Sequence, residues 1–191
     1  MSVEVAKPTY TRYRFTVEEY RRMGEANVFL SGVRVELIEG EIVDMSPIGK
    51  RHAARVEALD ELLRERLQRT VNIRVQSPVQ LDDHSEPEPD ISVLKRRDDF
   101  YEHELPKPED VLLLIEVSDT TLEYDSKVKV PLYAHAGIPE VWIINLKDER
   151  VETFASPSGD AYQATATLSR GEEVQSHSLA ALRLNVSEIF G

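Results

Sequence analysis

Apolar positions at Val56, Leu59, Leu63 and Leu67, with Leu62 beside them, recur at three-and-four spacing between Lys50 and Thr70. That spacing predicts a long amphipathic helix with one face against a core. Ahead of it, Thr16-Val-Glu-Glu19 has the form of a capping box and predicts a short helix to about Gly24. Between these helices, residues 33–38 and 41–45 are short β-type runs joined by Glu39-Gly40, which predicts a hairpin closed by Pro47. Beyond the long helix, 72–81 is rich in β-branched residues and 90–94 is mostly apolar, with the turn-rich stretch 82–89 between them, so a pair of strands is expected. Residues 98–110 are polar and contain proline, as a surface loop does. Val111-Leu-Leu-Leu-Ile-Glu-Val117 is the most apolar segment and predicts a central strand covered on both faces. A helix over 125–136, ended by Gly137, then leads to a buried strand over 140–145. Runs at 150–155 and 162–168 predict one or two further strands, and 187–190 a final turn. No repeat, linker or low-complexity tract divides the sequence. The expectation is one mixed α/β domain over residues 1–191.

Composition narrows the chemistry. The chain has no cysteine, which excludes disulfide scaffolds and cysteine-ligated zinc. Its 23 Lys+Arg against 35 Asp+Glu give a net charge of −12, of which −3 falls in the first hundred residues and −9 in the rest. Such a balance argues against indiscriminate nucleic-acid binding and leaves room for a local basic groove, with the first half the expected side for a polyanion. The longest apolar run, 111–115, is far short of the ~20 residues of a membrane span. Residues 1–13 include Glu4, Lys7 and Arg12 and lack the apolar stretch of a secretory signal, so a cytoplasmic protein with no membrane partner is expected. Neither a Gly-rich phosphate loop nor a Ser-His-Asp ordering stands out, and His84, His103, His135 and His177 have no pairwise metal-ligand spacing.

The anomaly is Glu116, a carboxylate near the end of the most apolar strand. An ionised carboxylate there must be paired, protonated or bound to a cation, because an isolated one costs several kcal/mol. Asp90 is the second anomaly, opening a strand directly after Pro89. If the two strands are antiparallel neighbours, the two carboxylates meet at one edge of the sheet, and a hard divalent cation relieves their repulsion. A blander arrangement satisfies the same pattern: Asp90 caps a turn and Glu116 pairs with an arginine.

Pro89-Asp90 followed by Glu116 at the end of an apolar strand resembles the PD-(D/E)XK nuclease superfamily. Pro87-Glu-Pro-Asp-Ile91, Leu114-Ile-Glu-Val-Ser-Asp119, Tyr124-Asp125 followed by Lys129, and Tyr133-Ala-His-Ala-Gly-Ile-Pro-Glu-Val-Trp142 are similar to motifs of the Uma-two family of endonucleases. The hairpin Glu36-Leu-Ile-Glu-Gly-Glu41, Ser46-Pro47 and His52 fit the same family, so the resemblance spans nearly the whole chain. It implies a restriction-endonuclease-like mixed β-sheet flanked by helices, Mg2+ or Mn2+ held by Asp90 and Glu116, a nucleic-acid substrate with DNA foremost, and a homodimer. One position departs from the superfamily pattern: the lysine usually two residues after the glutamate is Ser118 here. The resemblance implies that Lys129, from the following helix, takes its place, orienting water and stabilising charge on the phosphate. Lys127 is the competitor, on a nearly opposite helical face. Pro131 complicates that helix, which must start late or kink.

The resemblance also adds Glu41 and His52 to the candidates, although their default readings are a solvated strand residue and a half-buried histidine on the apolar stripe. Gln76 and Gln80 could line the same edge or simply be polar positions of a half-exposed strand. Lys95-Arg96-Arg97 is the clearest basic run, offset at once by Asp98-Asp99. The function expected is a Mg2+- or Mn2+-dependent endonuclease. The alternative is a catalytically inactive nuclease-fold module that binds or regulates.

Overall fold

A computed structural model describes residues 11–191. What was expected of residues 1–10 lies outside the described residues.

Helix α1 (Val17–Glu25) opens on the capping box: Thr16 accepts from the Glu19 N–H while the Glu19 carboxylate accepts from the Thr16 N–H. Strands β1 (Val35–Ile38) and β2 (Glu41–Asp44) form the expected hairpin. Its two turn residues, Glu39 and Gly40, both have positive φ (49° and 80°), the twist a two-residue hairpin turn needs. Gly40 also packs against the chain at Arg14, where a Cβ would come within 2.6 Å of the Arg14 Cβ. The hairpin is pinned to the loop before β4 by Glu86 N–H to Leu37 C=O (2.8 Å) and Gly40 N–H to His84 C=O (2.7 Å).

Helix α2 (Lys50–Leu67) buries Val56, Leu59, Leu63 and Leu67, the stripe read from the sequence. Each such side chain contributes about 1.5–3 kcal/mol on burial. It lies on a six-stranded sheet in the order β3 (Val71–Val75), β4 (Ile91–Lys95), β5 (Val111–Ser118), β6 (Glu140–Asn145), β7 (Arg150–Ser158), β8 (Ala161–Ser169). Only β5 and β6 run parallel, and the helical segment between them makes the crossover. Along β5 the alternation of side chains sorts the core: Leu113, Ile115 and Val117 join α2 on one face, whereas Leu114 joins the crossover helix on the other.

Three elements differ from the sequence expectation. The strand expected over 72–81 stops at Val75, because Gln76 turns into the left-handed region (φ 45°) and Pro78 follows. Val79 and Leu81 are still buried, as a loop covering the crossover face. The helix expected over 125–136 is three pieces: α3 (Leu122–Tyr124), a π turn (Asp125–Lys129) and α4 (Val130–His135). Val130 N–H bonds Asp125 C=O, five residues back, so the widened turn delivers Pro131 into the start of α4, where its missing N–H costs nothing. The tail holds a further strand pair, β9 (Glu173–Gln175) with β10 (Arg183–Asn185), before α5 (Val186–Phe190). Val174, Leu182, Leu184 and Ile189 close the α2 face of the core.

Candidate active site

The register of β4 with β5 pairs Ile91 with Ile115, which places Asp90 opposite Glu116 at the sheet edge. Asp90 Oδ2 accepts from the Val117 N–H (2.9 Å), and the Asp90 N–H points at Glu116 Oε2 (3.4 Å). His52 Nε2, from the first turns of α2, lies 3.0 Å from Asp90 Oδ2, and Gln76 Nε2 donates to Asp90 Oδ1 (3.2 Å). The left-handed kink at Gln76 therefore ends a strand and orients a carboxylate.

Glu116 is 3% exposed and points to the crossover face. There the residues i and i+4 of the helical segment meet it: Tyr133 Oη donates to Glu116 Oε1 (2.6 Å), and Lys129 Nζ lies 3.2 Å from the same oxygen. Lys129 Nζ is also 3.2 Å from Glu36 Oε2 on β1. Glu36 is fixed in turn by the Tyr124 hydroxyl (3.2 Å) and the Glu88 N–H (3.2 Å). Asp125 accepts from Ser118 Oγ (2.7 Å) and Thr121 Oγ1 (2.6 Å). Ser118, at the usual lysine position, thus serves an acid on the crossover segment. Asp90, Glu116, Lys129, His52, Gln76, Glu36, Tyr124 and Asp125 line one open cavity of about 360 Å³, together with Arg34, Met45, Ile48, Asp119 and Thr121; Tyr133 and Ser118 are not in its lining.

Of the residues singled out in the sequence, the structure brings Asp90, Glu116, Lys129, His52 and Gln76 together at one cavity. Glu41 lies apart: it sits at the turn end of β2, where its side chain is 56% exposed and pairs with Arg12 Nη1 (2.8 Å). Gln80 is engaged by Arg21 Nη2 (3.0 Å) away from it, and Lys127 pairs with Glu123 on the solvent side. The basic run lies at the opposite end of β4, with Arg97 held by Asp99 and Glu104. Glu36 and Asp125 also line the cavity, each inside a family-like motif that gave it no role. Glu36 carried the same signal as Glu116, a single acid inside an apolar strand.

Buried charge dominates the electrostatics. Burial pushes the Glu116 carboxyl up to about 8, with Lys129 only partly opposing it. Burial works against the Lys129 ammonium, but Glu116, Glu36 and Asp125 together hold it well above the usual lysine range. Asp90 moves the other way: burial raises it, yet the His52 hydrogen bond and charge, the Val117 N–H and the Gln76 amide outweigh that and leave it lowered. His52 is raised by its hydrogen bond to Asp90. Burial also raises Asp125. Two facing carboxylates are thereby pushed apart, one held as the anion and one prone to hold a proton.

The donor set suits a hard divalent ion. Glu116 Oε2 receives only the long Asp90 N–H contact and Asp90 Oδ1 only the Gln76 amide, so each keeps lone pairs at the cavity. Among the described residues no cluster of three His, Cys, Asp or Glu is arranged to hold a metal. A pair of carboxylates is enough for magnesium, which fills its other positions with water and phosphate oxygens.

The sequence model of the Uma2 family, described as "Putative restriction endonuclease", matches residues 17–187. The chain belongs to the Uma2 family. A crystal structure of a "putative nuclease belonging to DUF820" from Anabaena variabilis is similar to this Uma2 chain with a TM-score of 0.71 and 19% identity, covering 92% of this chain and 97% of that one. The fold of this Uma2 protein is restriction-endonuclease-like. No curated protein matches it. Among the described residues no helix is long and apolar enough to cross a membrane.

Proposed function

We propose that this Uma2 protein hydrolyses phosphodiester bonds in nucleic acid, DNA foremost, with Mg2+ or Mn2+ held between Asp90 and Glu116. The observation that carries the reading is the convergence of Asp90, Glu116 and Lys129 in one cavity, drawn from two antiparallel strands and a crossover helix. A bound divalent ion would supply an activated water and neutralise charge on the phosphate. His52 and Gln76 hold Asp90 as the anion with its oxygens fixed. Lys129 has three N–H donors; one goes to Glu116 while the ammonium also ion-pairs with Glu36, so an N–H can serve the attacking water or a phosphate oxygen. Tyr133 fixes the Glu116 carboxylate from behind, so the reacting groups need little rearrangement. Arg34 at the rim is already paired with Glu88, so substrate phosphates would meet a site whose cation supplies most of the positive charge.

The test is nicking of supercoiled DNA with Mg2+ or Mn2+. Wild type should cut, and Asp90→Ala and Glu116→Ala should lose cleavage while keeping native circular dichroism. Wild type that cuts neither DNA nor RNA with either metal, or variants that still cut, would overturn the reading.

A further inference from the structure

Strand β8 carries none of the devices that keep sheet edges apart. Its nine residues are the outer rim of the sheet, and Ala161-Tyr-Gln-Ala-Thr-Ala-Thr-Leu-Ser169 contains no charge, proline or glycine. Edges are ordinarily blunted by lysine, proline, bulges or a covering segment. The other rim, β3, is five residues long and carries Arg74. Among the described residues, the backbone of 161–168 makes no hydrogen bonds beyond its ladder with β7. Ser169 ends the open stretch: its N–H donates to Glu172 Oε2 (2.7 Å) and its C=O accepts from the Glu172 N–H (3.0 Å). Ser169 therefore turns its backbone groups away from β7, and antiparallel alternation makes Thr167, Thr165 and Gln163 do the same.

We propose that β8 pairs antiparallel with β8 of a second copy of this chain about a two-fold axis at Thr165, joining two sheets into one. Asp160 and Arg170 select both partner and register. They bracket the strand at equal distance from Thr165, so this register sets Asp160 of each copy opposite Arg170 of the other, and Gln163 opposite Thr167. Any other register separates both charge pairs. Asp160 is paired with His135 Nδ1 (2.7 Å), and Arg170 with Glu149 Oε2 (2.5 Å), the Gly191 C=O (3.2 and 3.3 Å) and the face of the Phe190 ring; the exposed ion pairs re-form at small cost. The neutral strand lets two chains of net charge −12 approach without like charges at the seam. The contact is isologous and closes after two copies.

The absence of cysteine makes the register directly testable. Facing residues of a non-hydrogen-bonded pair stand about 4.5 Å apart at Cα with their side chains closer, inside the disulfide range, and this register sets residue 164 of each copy opposite residue 166 of the other. Ala164→Cys with Ala166→Cys in one chain should therefore cross-link two chains on oxidation. Ala164→Cys alone should not. Light scattering should give a dimer for wild type and a monomer, with unchanged circular dichroism, for Thr165→Lys. Asp160→Arg should weaken the dimer, and adding Arg170→Asp should restore it. A monomeric wild type, a dimer that persists in Thr165→Lys, or failure of Ala164→Cys with Ala166→Cys to cross-link overturns the proposal. None of these readouts depends on cleavage, so their failure is distinct from failure of the nuclease reading.

Discussion

Replacing Lys129 by methionine keeps the length and apolar stem of the side chain and deletes the ammonium. That ammonium stands 3.2 Å from both Glu36 Oε2 and Glu116 Oε1, with side-chain exposures of 5% for Lys129 and 3% for each acid. At an effective dielectric of about 20, one pair at this distance interacts by roughly 5 kcal/mol. Removing one member of a buried pair typically costs about 3–5 kcal/mol, since the charge left behind is uncompensated. In a domain of this size each kcal/mol moves the melting midpoint by about 2–4 °C. Lys129→Met is therefore expected to melt roughly 6–20 °C below wild type at about pH 8. The deficit depends on pH. The Glu116 carboxyl, already pushed up to about 8 by burial, rises further without the ammonium. A raised carboxyl contributes stability that is complete below its unfolded value and is lost as pH rises through its folded value. The gap between variant and wild type should consequently shrink as pH falls from about 8 to about 5. Calorimetry on metal-free protein across that range measures it. Equal midpoints for the two proteins at about pH 8 would refute the reasoning from buried charge.

Glu116→Gln removes the raised carboxyl, so its metal-free melting midpoint should lack the decline that Glu116 imposes on wild type between about pH 4.5 and 8, and Mg2+ should no longer raise it. Glu140→Ala leaves two buried donors, Trp142 Nε1 and Ser176 Oγ, and the half-buried Ser178 N–H without the carboxylate that joins the tail to β6. Urea unfolding should show a loss of more than about 3 kcal/mol. Gly40→Ala must place a Cβ 2.6 Å from the Arg14 Cβ at φ 80°, and hydrogen exchange should quicken in the hairpin that carries Glu36, with a stability loss above about 1 kcal/mol.

The elements with strong periodicity were legible from residues alone. The stripe Val56, Leu59, Leu63, Leu67 and the run ending in Val117 each express one buried surface, and nothing in the tertiary structure competes with it. Glu116 was legible for the converse reason, since a lone acid in an apolar strand needs a partner. Its partner Lys129 was named only through the family resemblance. Lys129 reaches Glu116 through a π turn, and a five-residue turn leaves no periodic mark apart from the awkward Pro131. Glu36 belongs to the site because the hairpin is tied to the loop at Glu86, a contact between residues far apart in sequence. Gln76 read as strand because its neighbours are β-branched, while its bond to Asp90 overrides that local preference. Strands β9 and β10 bury one apolar residue each amid polar ones, too little pattern to announce a strand.

The central claim is that Asp90 and Glu116 together hold one divalent cation. Crystals soaked in manganese and measured at its absorption edge test it directly. The account predicts a single anomalous peak bonded to oxygens of both carboxylates, about 2.0–2.1 Å away if the site has magnesium-like geometry, and no peak there in Asp90→Asn crystals. A fully soaked wild-type crystal with no density between the two side chains, or with manganese bound elsewhere, contradicts it.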